Sequence, residues 1–118
     1  MARILVIDDE EDIRNMLRHM LESANHQVDV ASDGQRGIEC YRETPADLII
    51  TDIVMPGKDG LETIRELRRS DPEVRIIAMA GYGEESLPRA RELGASHTVH
   101  KPFQIEDFLQ VVERLLEK

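Results

Sequence analysis

The 118-residue chain predicts an α/β protein with a doubly wound, five-stranded parallel sheet flanked by five helices. Two observations point there. Short apolar, β-branched runs alternate with stretches whose apolar residues recur at helical spacing, without an internal repeat, linker or low-complexity segment. The run Leu48-Ile49-Ile50-Thr51 is nearly continuous in apolar character, as a strand covered on both faces must be. Strands joined through helices pair in parallel by right-handed crossovers, which places helices on both faces of the sheet. The order 2-1-3-4-5 is common for a unit of this size and sets strands one and three side by side.

In chain order, Ile4 to Ile7 reads as the first strand and runs into Asp8-Asp9-Glu10-Glu11-Asp12. Ile13, Met16, Leu17, Met20 and Leu21 then form the inner stripe of a helix. Gln27 to Ala31 is the second strand; Ser32-Asp33-Gly34 supplies cap residues for a helix whose inner face is Gly37, Ile38 and Tyr41, stopped at Thr44-Pro45. After the central strand, Asp59 caps a helix marked by Leu61, Ile64 and Leu67. Val74 to Met79 is the fourth strand. Pro88 fits only a first turn, so the fourth helix begins near Glu85 or Ser86 and ends at Leu93-Gly94. Ser96 to His100 is the fifth strand, and Ile105, Phe108, Leu109, Val112, Leu115 and Leu116 share one face of the last helix.

The length fits one domain, residues 1–118, with no output domain expected within it. A formal net charge of −9 argues against direct nucleic-acid binding or attachment to an anionic membrane through a general field. The single cysteine, Cys40, excludes an internal disulfide and reads as packing. No signal-peptide pattern and no long apolar segment is present, so a cytoplasmic location is expected.

The predicted topology carries chemistry to one sheet edge. Strand tips of an open parallel sheet are where ligands gather. Here they bring Asp8-Asp9 after strand one, Asp52 after strand three and Lys101 after strand five. Taken alone, the acidic run is a helix N-terminus favoured by the macrodipole, and Lys101 is a solvated lysine. Together they imply more. Carboxylates converging within about 5 Å repel by roughly 3 kcal/mol per ionised pair at an effective dielectric near 20, and so require protons or a cation. An all-oxygen donor set suits Mg²⁺, with Mn²⁺ as a substitute. Nucleophile, metal and fixed cation are the parts needed to transfer a phosphoryl group to a carboxylate.

Asp8-Asp9, Asp52 followed by Met55-Pro56-Gly57 and Asp59-Gly60, and Lys101-Pro102-Phe103 resemble the receiver domain of two-component response regulators, of the chemotaxis-regulator type, over essentially the whole chain. The resemblance implies a flavodoxin-like fold. It implies that Asp52 is the phosphoacceptor, that Asp9, Asp52 and the backbone carbonyl of Val54 hold Mg²⁺, and that Asp8 assists through a water. Lys101 then pairs a phosphoryl oxygen, and Lys101-Pro102 resembles the family's cis peptide. The implied partners are a sensor histidine kinase or phosphotransfer protein and a downstream protein or a missing output domain. By the same resemblance, the helix-one face near Arg14 and Arg18 is the expected kinase dock and the face between helices four and five the expected output dock.

Two positions depart from the pattern. Ala80 stands where a switch Ser or Thr is usual, and Thr98 where an aromatic is usual. Loss of one hydrogen bond to a charged group typically forfeits about 1.5 to 3 kcal/mol, so phosphorylation with weakened switching is the expectation. Ser86 reads as a cap rather than a displaced switch, and Thr98 is a secondary candidate for a small switch of its own. Val54 and Tyr82 stand where members of the family it resembles tune the lifetime of the phosphorylated state. His97 and His100 read as strand residues at or near the surface. A receiver-like binding module independent of phosphorylation is the alternative. An FMN carrier is disfavoured because the acidic run after strand one would repel a phosphate, and an aspartyl phosphatase because the spaced acid pair and a cap domain are missing.

Overall fold

The computed structural model describes residues 2–55, 59–81 and 86–117. Its elements are β1 (Arg3–Ile7), α1 (Glu11–Ser23), β2 (Gln27–Ala31), α2 (Gly34–Glu43), β3 (Leu48–Asp52), α3 (Gly60–Ser70), β4 (Arg75–Ala80), α4 (Ser86–Leu93), β5 (His97–His100) and α5 (Ile105–Leu116). The sheet is parallel with order β2-β1-β3-β4-β5, as predicted. The fourth and fifth strands each begin one residue later than the apolar runs suggest, and β4 extends to Ala80.

Alternation along the strands divides the interior in two. Leu5, Ile7, Ile49, Ile76 and Ala78 face α2, α3 and α4, meeting Ile38, Tyr41, Ile64, Leu67 and Ala90. Ile4, Val6, Leu48, Ile50, Ile77 and Met79 face α1 and α5, meeting Leu17, Met20, Leu21, Phe108 and Val112. A fully enclosed side chain of this size contributes about 1.5–3 kcal/mol, so the central strands hold the layers together. Of the apolar positions assigned to helix faces, Met16 and Ile105 are instead exposed, at 37% and 48%. Met16 lines a cavity at the sheet edge, and Ile105 lies one turn before Phe108, the first residue of α5 that the core encloses.

Local chemistry fixes the ends of the elements. Asp33 accepts from the Arg36 N–H at 2.8 Å and Asp59 from the Glu62 N–H at 2.9 Å, which caps α2 and α3. Gly60 must lack a side chain, because a Cβ there would stand 2.1 Å from the Asp52 carbonyl oxygen. Its N–H donates to the Ile53 carbonyl at 2.8 Å, so the start of α3 sits against the end of β3. Gly94 closes α4 at φ +123°, and the Arg68 guanidinium donates to its carbonyl at 2.7 and 3.2 Å.

Candidate functional site

The C-terminal tips of β1, β3 and β5 bring Asp8, Asp52 and Lys101 together. Asp8 is fully buried and both its oxygens are engaged: Oδ1 accepts from the Glu10 N–H at 2.9 Å and Oδ2 from Lys101 Nζ at 3.1 Å. The same ammonium stands 3.3 Å from Asp52 Oδ1. The Lys101–Pro102 peptide is cis, and the Lys101 N–H donates to the Ala80 carbonyl at 2.8 Å, which ties the start of this segment to the tip of β4. The sequence-predicted acids and lysine therefore share one locus.

Electrostatics follow from that burial. Asp52 is 5% exposed, and desolvation pushes its carboxyl up to about 6; Lys101 opposes this, while Asp8 and then Asp9 add to it. Burial works against the Lys101 ammonium, but Asp8 and Asp52 outweigh it and hold its pKa above the ordinary value. Asp9, Glu10, Asp52, Val54 and Lys101 line one cavity of about 660 Å³, whose apolar wall includes Ile13 and Met16.

Among the described residues, one group of three acids is close enough to hold a metal: Asp8, Asp9 and Glu10, with one oxygen of each within 4.8 Å of the others. At that spacing an ionised pair repels by about 3 kcal/mol at an effective dielectric near 20. The donors are all carboxylate oxygens, which suits a hard divalent ion such as Mg²⁺ or Mn²⁺. Asp52 is tied to this group through Lys101. Glu10 was missed in the sequence because an acid beside a helix start is explained without it by the macrodipole, and Glu11 and Asp12 do occupy the first turn of α1.

Ala80 is the last residue of β4 and is buried, so its own side chain offers no hydroxyl there. Thr98 pairs in register with Ala78 and is half-buried. Val54 is 56% exposed at the cavity. Tyr82, Glu85 and Pro56 to Lys58 lie outside the described residues. His97 is half-buried, its pKa lowered by burial and then by Arg91 and Arg114; His100 is exposed. Arg14, expected on a docking face, donates to the Asp8 carbonyl at 2.8 Å and so helps fix the β1 tip, while Arg18 stands 3.8 Å from Glu22. Cys40 packs against the core layer under α2. At the opposite end of the sheet, a buried His26 accepts the Ala2 N–H at Nδ1 and holds the Glu113 carboxylate at 2.8 Å with Nε2, a node with no signal in the periodicity.

This chain belongs to the response regulator receiver domain family, whose profile matches residues 4–113. It is 36% identical over 115 residues to the chemotaxis protein CheY of Halobacterium salinarum, covering 97% of this chain and 96% of that one. Identity to sporulation initiation phosphotransferase F of Bacillus subtilis is 30%, over 97% of this chain and 93% of the relative. Among solved structures, the response regulator TrrA of Thermotoga maritima, in complex with Mg(2+)-BeF, superposes with a TM-score of 0.90 at 32% identity, covering 98% of this chain and 99% of that one. Receiver domains work with histidine kinases or phosphotransfer proteins and with downstream effectors, and typically bind Mg²⁺ at an acidic pocket. No helix among the described residues is long and apolar enough to cross a membrane.

Proposed function

We propose that Asp52 accepts a phosphoryl group from a phosphohistidine on a kinase or phosphotransfer protein, in a Mg²⁺-dependent reaction, and that the added charge alters binding to a downstream partner. The observation that carries this reading is the single ammonium of Lys101 shared by Asp8 and Asp52 at 3.1 and 3.3 Å, in a cavity that also reaches Asp9. Asp52 is the nucleophile: the donor's phosphorus–nitrogen bond breaks as the phosphorus–oxygen bond to the carboxylate forms. Its raised pKa of about 6 still leaves it ionised near neutrality. Lys101 meets a phosphoryl oxygen as a compact point charge, and Asp8, enclosed and doubly bonded, holds that ammonium in place.

Asp9, Asp52 and the Val54 carbonyl are the residues to hold the metal, with Asp8 acting through water. Mg²⁺, when bound, neutralises charge on the phosphoryl oxygens. The likeness to a relative solved in complex with Mg(2+)-BeF supports a Mg²⁺ requirement. With Ala80 in place of a hydroxyl, the phosphoryl group lacks one donor, so the switch toward Thr98 and the α4–α5 face is weakened rather than lost.

Intact-mass measurement after incubation with acetyl phosphate and Mg²⁺ tests the proposal. A gain of one phosphoryl group in the unmodified chain, absent from Asp52→Asn and from samples with EDTA, is expected. An unchanged mass for the unmodified chain overturns it.

A further inference from the structure

We infer that Glu10 is an additional anionic residue of the metal pocket and sets how tightly the divalent ion is held; this rests on the Mg²⁺ reading of the site above. Glu10 occupies the N-cap of α1, at φ −91° and ψ 118°, a place where the short side chains of Ser, Thr, Asp or Asn bond the helix N–H groups. It makes no such side-chain bond. Its carboxylate gathers with those of Asp8 and Asp9 within 4.8 Å and lines the same cavity as Asp52 and Lys101.

Each Asp8 oxygen already accepts one hydrogen bond, from the Glu10 N–H and from the Lys101 ammonium, so Asp8 meets a cation with only part of its acceptor capacity. Asp9 and Glu10 are both exposed and line the cavity together with a buried Asp52 supplied by another strand; neither is in an ion pair among the described residues. A hard ion that retains several waters is bound by the number of anionic groups around it as well as by direct ligation. Glu10 supplies that extra charge on a longer stem than Asp9, within reach of the ion or of a water on it. Affinity, rather than the phosphoryl-transfer geometry, is what it controls.

The test uses Mn²⁺ alone with the full chain, reading the free ion by electron paramagnetic resonance and adding Mg²⁺ as competitor. Glu10→Gln is compared with Glu11→Gln, which removes the same charge one residue away in the first turn of α1, outside the acid group. Asp52→Asn reports on the pocket itself, and Glu10→Ala serves as a second variant. Both Glu10 variants are expected to weaken binding about 5- to 10-fold and Glu11→Gln less than about twofold. The difference is expected to persist in 0.5 M KCl, where the screening length is about 4 Å. Equal weakening by Glu10→Gln and Glu11→Gln, with Asp52→Asn still abolishing uptake, sinks the role of Glu10 and leaves the pocket reading intact. Failure of the unmodified chain to take up either ion, or normal uptake by Asp52→Asn, overturns both.

Discussion

Replacing Asp52 with Asn is expected to make the metal-free protein more stable. Burial raises the Asp52 carboxyl from an ordinary 3.8 to about 6. The folded state therefore binds that proton more tightly than the unfolded chain does, and ionisation works against folding. At about 1.4 kcal/mol per pKa unit, keeping the carboxylate charged above pH 6 costs the fold about 3 kcal/mol. The cost falls as the pH drops through 6 and is gone below about 4, where both states are protonated. Asparagine keeps the shape without the charge, and Lys101 keeps its contact with Asp8. Urea unfolding in EDTA should show Asp52→Asn ahead by about 2–3 kcal/mol at pH 8 and close to the unmodified chain at pH 4. Added Mg²⁺ should then stabilise the unmodified chain and leave the variant nearly unchanged. The reasoning is refuted if the variant is no more stable at pH 8, or if its advantage does not shrink on acidification.

Other consequences follow from individual contacts. Ala80→Ser puts a hydroxyl at a buried strand tip; it should cost about 1 kcal/mol in urea unfolding, and enlarge the amide shifts of β4 and β5 when beryllofluoride and Mg²⁺ are added. Tyr41→Phe removes the hydroxyl that donates to the Asp71 carboxylate and should cost about 1–2 kcal/mol at neutral pH. The Asp71 carboxyl is held below its ordinary value by Tyr41 first and then by the Glu73 N–H, so this contribution is full above the unfolded pKa. It is lost as the pH falls through the folded value, and the gap between Tyr41→Phe and the unmodified chain in acid titrations should close there. Asp59→Ala removes the α3 cap and should lower stability by about 1 kcal/mol by thermal or urea unfolding, with faster amide exchange confined to the first turn of α3.

Much of this arrangement is written in the sequence. The enclosed run Leu48 to Thr51 identified the central strand, and caps such as Asp33 and Asp59 placed the helices, because both signals come from local chemistry. Convergence of Asp8, Asp52 and Lys101 followed from topology, since strand tips of a parallel sheet share one edge. What escaped was whatever depends on distance across the fold. Periodicity assigned Met16 and Ile105 to inner faces because spacing cannot show where a helix overhangs the sheet or borders a cavity. The acid run had a sufficient explanation in the helix dipole, so Glu10 was not separated from Glu11. His26 and Glu113, 87 positions apart, meet only once β2 and α5 are in place.

The central claim is that one carboxylate at the tip of β3 takes up the phosphoryl group. Borohydride converts an acyl phosphate to the corresponding alcohol, so trapping after acetyl phosphate treatment followed by peptide mapping locates the acceptor. The account predicts homoserine at position 52 in samples containing Mg²⁺ and an unaltered aspartate there in EDTA. Homoserine at position 8 or 9 instead, or none at position 52 with Mg²⁺ present, would contradict it.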